Sequence, residues 1–207
     1  MKSRFYIIPT PIGGEFTLRS LRVLSELKII FCEDKKETNR MLTRLNIKDK
    51  KILIEIEHKE KRLLNIIDKL IDKHISFGLL SSAGIPALID PGFVIIDHIL
   101  KQRGRVKIVD LGGPSALTQA IMVSGIDMRF FMFLGNYSCS NYFKLSGQEK
   151  FIKQYEYPMV YFPSRELIEA SLTEISKICS NELYFVLAVD LTRENSDVFR
   201  GNLDACM

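Results

Sequence analysis

The segment that decides the fold reads Leu79-Leu80-Ser81-Ser82-Ala83-Gly84-Ile85-Pro86-Ala87-Leu88-Ile89-Asp90-Pro91-Gly92. It opens as an apolar strand and passes directly into a run of small residues. Small side chains let a ligand approach backbone N–H and C=O groups, and the apolar strand before them supplies rigid support. In α/β proteins, ligands bind at the carboxyl ends of parallel strands. The segment therefore predicts a ligand-facing loop at the edge of a parallel sheet.

The pattern around this segment is an alternation of short apolar runs and longer helical stripes, which continues to about residue 124. Leu63, Ile67 and Leu70, for example, fall on one helical face. Repeated strand and helix units are typical of an α/β domain with a mostly parallel sheet. Five strands are predicted, at residues 5–8, 29–32, 52–56, 77–80 and 106–111.

The remainder of the chain has a different pattern. Strands are predicted at residues 130–134, 159–162, 183–189 and 198–200, with one helix at about 166–178. This mixture predicts a smaller α+β domain. We therefore expect an N-terminal α/β domain over residues 1–126 and a C-terminal α+β domain over residues 127–207.

Composition limits the class of protein. The 207 residues are 46% apolar and 26% charged, with a formal net charge of +4, as in an ordinary soluble globular protein. The weak basic balance is compatible with nucleic acid but does not require it. Four singly scattered cysteines indicate neither a disulfide framework nor a metal site, and no apolar run or leader points to a membrane. A cytoplasmic location is expected.

Three turns rich in glycine and proline follow predicted strands one, four and five, at residues 9–14, 81–86 and 112–115. Each alone is explained by tight strand-to-helix connections. Together they open on the same sheet edge and can form one cleft. The chain lacks the G-x-G-x-x-G, P-loop, H-E-x-x-H and G-x-S-x-G motifs, which argues against the commonest dinucleotide, phosphate-loop, metalloprotease and hydrolase sites.

Ionisable residues are predicted at this edge too. Glu33 and Asp34 close the second strand, and His58 follows the third, where they could bind substrate or act as a general base. A structural explanation is equally possible: Asp34 can stabilise the start of a helix, and His58 can be an exposed side chain without a role in a site. Asp90 is predicted to cap the next helix, with Pro91 at its first position.

Taken in order, several short motifs are specific where each alone is weak. They are P-T-P-I-G at residues 9–13, E-D at 33–34, H-K-E at 58–60, S-S-A-G-I-P at 81–86, D-P-G at 90–92, G-P-S-A at 113–116 and S-G-I at 124–126. The set resembles the small-subunit rRNA (cytidine-2'-O)-methyltransferase family. That family is a branch of the tetrapyrrole methylase superfamily, whose members use S-adenosylmethionine (SAM). The resemblance covers nearly the whole chain.

The resemblance implies two α/β domains with SAM in the cleft between them, a homodimer, and ribosomal RNA or the small ribosomal subunit as partner. It implies methyl transfer to a ribose 2'-hydroxyl, with Glu33, Asp34 and His58 as candidates for the base. Cofactor contacts carried over by motif are Ser81, Ser82, Ala83, Gly84, Ile85, Ser115, Ala116, Leu134, Tyr161, Ala188 and Leu191. Substrate contacts are expected at Pro11, Gly13, Lys35, Lys36, Arg40 and Arg165.

The chain also departs from the family pattern. Ser82 stands where the family has Asp, Ile85 where it has Thr, and Lys35-Lys36 where it has Thr-Arg; the chain ends at Met207, before the last helix and strand expected. Two alternatives therefore stay open. One is a non-catalytic protein of this fold that binds RNA or a protein, and the other is a methyltransferase for a small tetrapyrrole-like substrate.

Overall fold

The structure is a computed structural model that describes residues 2–13, 16–47, 51–56, 60–90, 92–102, 104–137, 157–178, 182–202 and 205. The chain forms two compact units, Met1–Ala116 and Leu117–Met207. The expected limits of 1–126 and 127–207 stay a prediction about folding domains. Of the residues singled out in the sequence, His58 and Pro91 lie outside the described residues.

The first unit is built on a parallel five-stranded sheet with strand order β3-β2-β4-β1-β5. Every predicted strand is present, with ends within two residues of expectation, and the predicted α/β fold class is confirmed. β1 has a neighbouring strand on each side: Phe5 pairs with Phe77 of β4 and with Ile108 of β5. The strands are β1 (Ser3–Ile8), β2 (Ile29–Cys32), β3 (Ile52–Glu55), β4 (Phe77–Leu80) and β5 (Val106–Asp110).

Four helices cover both faces of this sheet, and a fifth follows β5 along the chain. They are α1 (Leu18–Glu26), α2 (Lys35–Arg44), α3 (Glu60–Asp72), α4 (Phe93–Lys101) and α5 (Ala116–Ser124), the last of which begins at the final residue of the first unit. Right-handed crossovers place α1 and α2 on one face, because both connect strands in the same direction across the sheet, and α3 and α4 on the other. Two buried clusters match this arrangement: Leu24 and Leu42 belong to one, Ile67 and Ile95 to the other.

The predicted start of α4 is wrong. The helix begins at Phe93 after Gly92, and no side chain caps it. The chain turns first at Ala87, whose φ is +68°, and the Asp90 carboxyl interacts with Glu33 instead of the helix N-terminus. A Cβ on Gly92 would lie 2.8 Å from Leu79 Cδ2, so a larger residue here would displace that side chain.

The second unit has two small sheets. β6 (Met132–Tyr137) and β7 (Met159–Pro163) are parallel, while β8 (Tyr184–Val189) and β9 (Asp197–Asn202) are antiparallel, with a 3₁₀ turn at Arg165–Leu167 and helix α6 (Ile168–Ile178) between the pairs. β6 starts two residues later than predicted, because pairing begins where the Met132 N–H donates to the Pro158 carbonyl at 2.9 Å. Phe130, expected in the strand, is 74% exposed and contacts the Tyr157 ring.

None of the described helices combines the length and the apolar character that a membrane crossing requires.

Candidate functional site

The loops after β1 and β4 are joined by backbone hydrogen bonds. The Thr10 N–H donates to the Gly84 carbonyl at 2.9 Å, and the Gly84 N–H donates to the Thr10 carbonyl at 2.8 Å. Side chains reinforce this bridge, since Thr10 Oγ1 donates to the Ser81 carbonyl at 2.6 Å and Ser81 Oγ donates to the Gly84 carbonyl at 2.7 Å. All three residues are buried. The segment that decided the fold is therefore held in one conformation by the loop after β1.

The loop after β5 approaches the same place. A Cβ on Gly113 would lie 2.5 Å from Pro9 Cβ, so this approach requires glycine. Gly84 has φ +73°, and its missing Cβ would lie 3.5 Å from Ile12 Cγ2 and 3.9 Å from the Pro114 carbonyl oxygen. Ser115 is buried beside these turns, and Ala116 opens α5. The structure thus brings together the three loops expected to converge.

Glu33, the residue after β2, contacts the tip of the loop that follows β4; this tip consists of Ser82 and Ala83. Its Oε2 accepts from Ser82 Oγ at 2.9 Å and its Oε1 accepts from the Ser82 N–H at 3.3 Å. Burial, the charge of Glu33 and a hydrogen bond with Glu33 raise the pKa of Asp90 to about 6. Asp90 therefore keeps its proton to a higher pH than an isolated aspartate does. Ser82, where the family has an acidic residue, is thus in contact with a carboxylate that follows β2.

Asp34 has a different role from its neighbour. Its Oδ1 accepts from the Lys36 N–H at 2.6 Å and from the Glu37 N–H at 2.9 Å, which makes it the N-cap of α2. These backbone hydrogen bonds lower the pKa of Asp34. A carboxylate occupied in this way is a poor proton acceptor. Asp34 therefore serves as the helix cap, whereas Glu33 contacts the loop after β4.

The basic candidates lie in different places. Lys36 and Arg40 are exposed on α2, while Lys35 Nζ lies 3.9 Å from Glu55 Oε2 on β3. Pro11 lies in the loop after β1, followed by Gly13. Arg165 belongs to the second unit, where it opens the 3₁₀ turn.

The second unit carries the other predicted cofactor residues. Leu134 lies in β6 next to Gly135, whose φ of +70° accompanies a break in the β6–β7 register. Tyr161 is in β7 and Ala188 is in β8. Leu191 follows β8 between two residues with left-handed backbones, Asp190 at φ +50° and Thr192 at φ +68°. Such conformations in residues other than glycine are costly and concentrate at functional sites.

Thr10 is the residue that sequence reasoning missed. Its neighbours Pro11 and Gly13 were assigned to substrate, but Thr10 itself makes the contacts that hold the β4 loop. Its position in the P-T-P-I-G motif was the available signal. Among the residues that the structure describes, no three His, Cys, Asp or Glu side chains are grouped to bind a metal.

Comparison with known proteins agrees with this geometry. Residues 4–206 match the model of the family described as Tetrapyrrole (Corrin/Porphyrin) Methylases. The chain is 32% identical to ribosomal RNA small subunit methyltransferase I of Hydrogenobaculum sp. (strain Y04AAS1), covering 97% of this chain and 86% of that one. It is 30% identical to the protein of the same name from Thermotoga maritima, covering 97% and 88%.

A solved structure of diphthine synthase is also similar, with a TM-score of 0.72 at 14% identity over 99% of this chain and 84% of that one. Identity this low shows a shared fold alone. The family match spans almost the whole chain, and this protein therefore belongs to the tetrapyrrole methylase family. The predicted enzyme class, a SAM-dependent methyltransferase, is confirmed with it.

Proposed function

We propose that this protein transfers a methyl group from SAM to a ribose 2'-hydroxyl of small-subunit ribosomal RNA. The observation that carries the proposal is the buried joint between Thr10, Ser81 and Gly84, which presents the tip of the β4 loop at the carboxyl edge of the sheet. Both relatives are named as ribosomal RNA methyltransferases, which supports RNA as the substrate class.

The residues present fit a cofactor held through backbone groups. Ser82 and Ala83 are exposed at the loop tip, while Ser81 and Gly84 are buried beneath them. The close approach at Gly113 and the left-handed Gly84 let the loops after β1, β4 and β5 pack directly against one another, which fixes the backbone around this tip. We assign SAM contacts to residues 81–85, Ser115 and Ala116, and in the second unit to Leu134, Tyr161, Ala188 and Leu191.

SAM supplies an electrophilic methyl group, so the protein's main task is to orient the attacking oxygen. A proton must also leave the hydroxyl as the new bond forms. Glu33 is our assignment for the acceptor, because it lies at the loop tip and is oriented by two hydrogen bonds from Ser82. Asp90 shares its environment, and a carboxyl with a raised pKa accepts a proton more readily near neutral pH.

The departure at Ser82 is compatible with this assignment. An acidic residue at this position would place a third carboxyl group next to Glu33 and Asp90, and like charges at such distances repel. Serine donates to Glu33 instead. The loop tip thus keeps the Glu33 carboxylate although residue 82 is not acidic, and we expect this carboxylate to suffice for an active enzyme.

The assembly and location are part of the same proposal. We expect a homodimer that works in the cytoplasm, where its ribosomal substrate is found. Sedimentation of the purified chain tests the first point, and a monomer at micromolar concentration would contradict it.

The decisive experiment has two readings. Isothermal titration should show SAM binding to the purified protein. Labelled methyl should then pass from SAM to small-subunit rRNA from a strain that lacks this methylation, and the labelled nucleotide should resist alkaline cleavage at its 3' side, because 2'-O-methylation blocks that reaction. The variant Glu33→Gln should bind SAM normally but transfer the methyl group slowly. The matched control is Glu26→Gln, which replaces an exposed carboxylate at the end of α1.

The outcomes separate the alternatives. No heat at millimolar SAM would exclude the SAM site. If the protein binds SAM and methylates a small tetrapyrrole but not RNA, the substrate is the tetrapyrrole. SAM binding with RNA binding but no transfer at all would identify a non-catalytic protein.

A further inference from the structure

The feature that carries a further inference is the exposed face of α2. This helix has four basic residues and one acidic one over Lys35–Arg44. Thr38 and Leu42 are buried against the sheet, whereas Lys36, Arg40 and Arg44 are exposed. Residues spaced by four lie on one helical face. Three positive charges thus form a continuous row, which we call the basic row.

The basic row is available to a ligand. No ion pair to Lys36, Arg40 or Arg44 is found among the residues that the structure describes, although Glu37 and Asp34 belong to the same segment. Lys35 differs, because it turns toward the sheet and approaches Glu55 at 3.9 Å. Three like charges held in one row repel one another, and a polyanion relieves that repulsion.

The position of the row connects it with the proposed site. Asp34 caps α2 directly after Glu33, so the helix starts at the edge where Glu33 contacts the β4 loop. Each step along the row is about 6 Å, since an α-helix rises 1.5 Å per residue. The row therefore leads away from the loop tip in steps that allow each side chain to contact a different backbone phosphate.

We propose that Lys36, Arg40 and Arg44 bind consecutive phosphates of the RNA strand that enters the site. This inference rests on the proposed function for the identity of the polyanion. It adds Arg44, which no motif indicated, and it leaves Lys35 outside the row. The row recognises RNA through charge and spacing, so it contributes affinity but no base preference.

The test is RNA affinity as a function of salt. An unmethylated small-subunit rRNA transcript is titrated with wild-type protein and with a variant carrying Lys36→Gln, Arg40→Gln and Arg44→Gln. Each phosphate contact to a single strand contributes about 0.7 to the slope of log K against log salt, so the triple variant should lose about 2 from the slope. Between about 50 and 200 mM salt, wild type should therefore lose about fifteenfold more affinity than the variant.

A matched control removes the same charge elsewhere. Lys61, Lys69 and Lys73 are exposed on or next to α3, on the opposite face of the sheet. Their replacement by glutamine lowers the net charge equally and should leave the slope at the wild-type value. Equal slopes for the two triple variants would overturn the inference, because net charge alone would then explain the effect.

The two proposals fail in different ways. SAM titration and methyl transfer at saturating RNA report the proposed function, whereas the salt slope reports the basic row. If wild-type protein transfers methyl to RNA but the triple variant keeps the wild-type salt slope, the basic-row proposal is overturned and the proposed function stands. If the triple variant loses SAM binding, the single variant Arg44→Gln is used instead, because Arg44 lies farthest from the loop tip. Its salt slope should be smaller than that of wild type by about 0.7.

Discussion

Replacing Asp90 by asparagine tests the carboxyl pair at the loop tip through stability. The pKa of Asp90 is raised from its usual 3.8 to about 6, first by burial and then by Glu33. A shift of about 2 units corresponds to at most about 3 kcal/mol. Because the group is partly exposed and screened by solvent, we expect about 1 kcal/mol.

The direction follows from proton binding. A carboxyl whose pKa is higher in the folded state binds more protons there than in the unfolded chain between pH 3.8 and about 6. The contribution of Asp90 to the free energy of unfolding therefore falls as pH rises through this window and stays low above it. The amide of the variant carries no charge in either state. Asp90→Asn should match wild type near about pH 4 and be more stable by about 1 kcal/mol at about pH 8.

Urea unfolding followed by circular dichroism measures this difference at several pH values from about 4 to about 8. With a slope of about 2 kcal/mol per M urea, the midpoint of the variant should exceed that of wild type by about 0.5 M at the alkaline end of this range. Glu26→Gln, at an exposed carboxyl at the opposite end of β2 from Glu33, controls for the loss of a negative charge. A midpoint difference for Asp90→Asn that is the same at both ends of the pH range would refute the reasoning.

Three further predictions address the joint and the second unit. Thr10→Val removes the hydroxyl that donates to the buried Ser81 carbonyl, so the free energy of unfolding should fall by about 1–3 kcal/mol and titration should show several-fold weaker SAM binding. Thr10→Ser keeps the hydroxyl and should restore stability and SAM affinity. If it does not, the threonine methyl group is responsible for the effect. Gly113→Ala puts a Cβ 2.5 Å from Pro9 Cβ, and calorimetry should show at least about tenfold weaker SAM binding; wild-type affinity would mean that the two loops separate freely. Arg200→Ala removes guanidinium donors, one at 3.1 Å, from the Val123 carbonyl near the end of α5, and the melting temperature should fall by a few degrees, with Arg200→Lys in between; an unchanged melting temperature would show that water replaces the contact.

Local sequence signals predicted much of the first unit for a physical reason. Its strands are short apolar runs bounded by turns, and its helices have one apolar face, so each element is visible without knowledge of its neighbours. β2 and β4 were predicted to the residue. The start of α4 was misjudged because Asp90 and Pro91 form a valid local capping pattern, whereas in the structure Asp90 interacts with Glu33 and the helix begins at Phe93.

The sequence alone determined the parallel α/β class and the family resemblance, and it predicted a ligand-facing loop after Leu80, because backbone freedom and apolar periodicity are local properties. Tertiary structure decided which side chains act together. β2 and β4 are neighbours in the sheet although α2, β3 and α3 separate them in the chain, and so Glu33 meets Ser82 across 49 residues. β1 lies beside β4 in the same way, which joins Thr10 to Ser81 across 71 residues. Strand order sets these contacts, and strand order follows from the packing of the whole sheet, which no local pattern encodes.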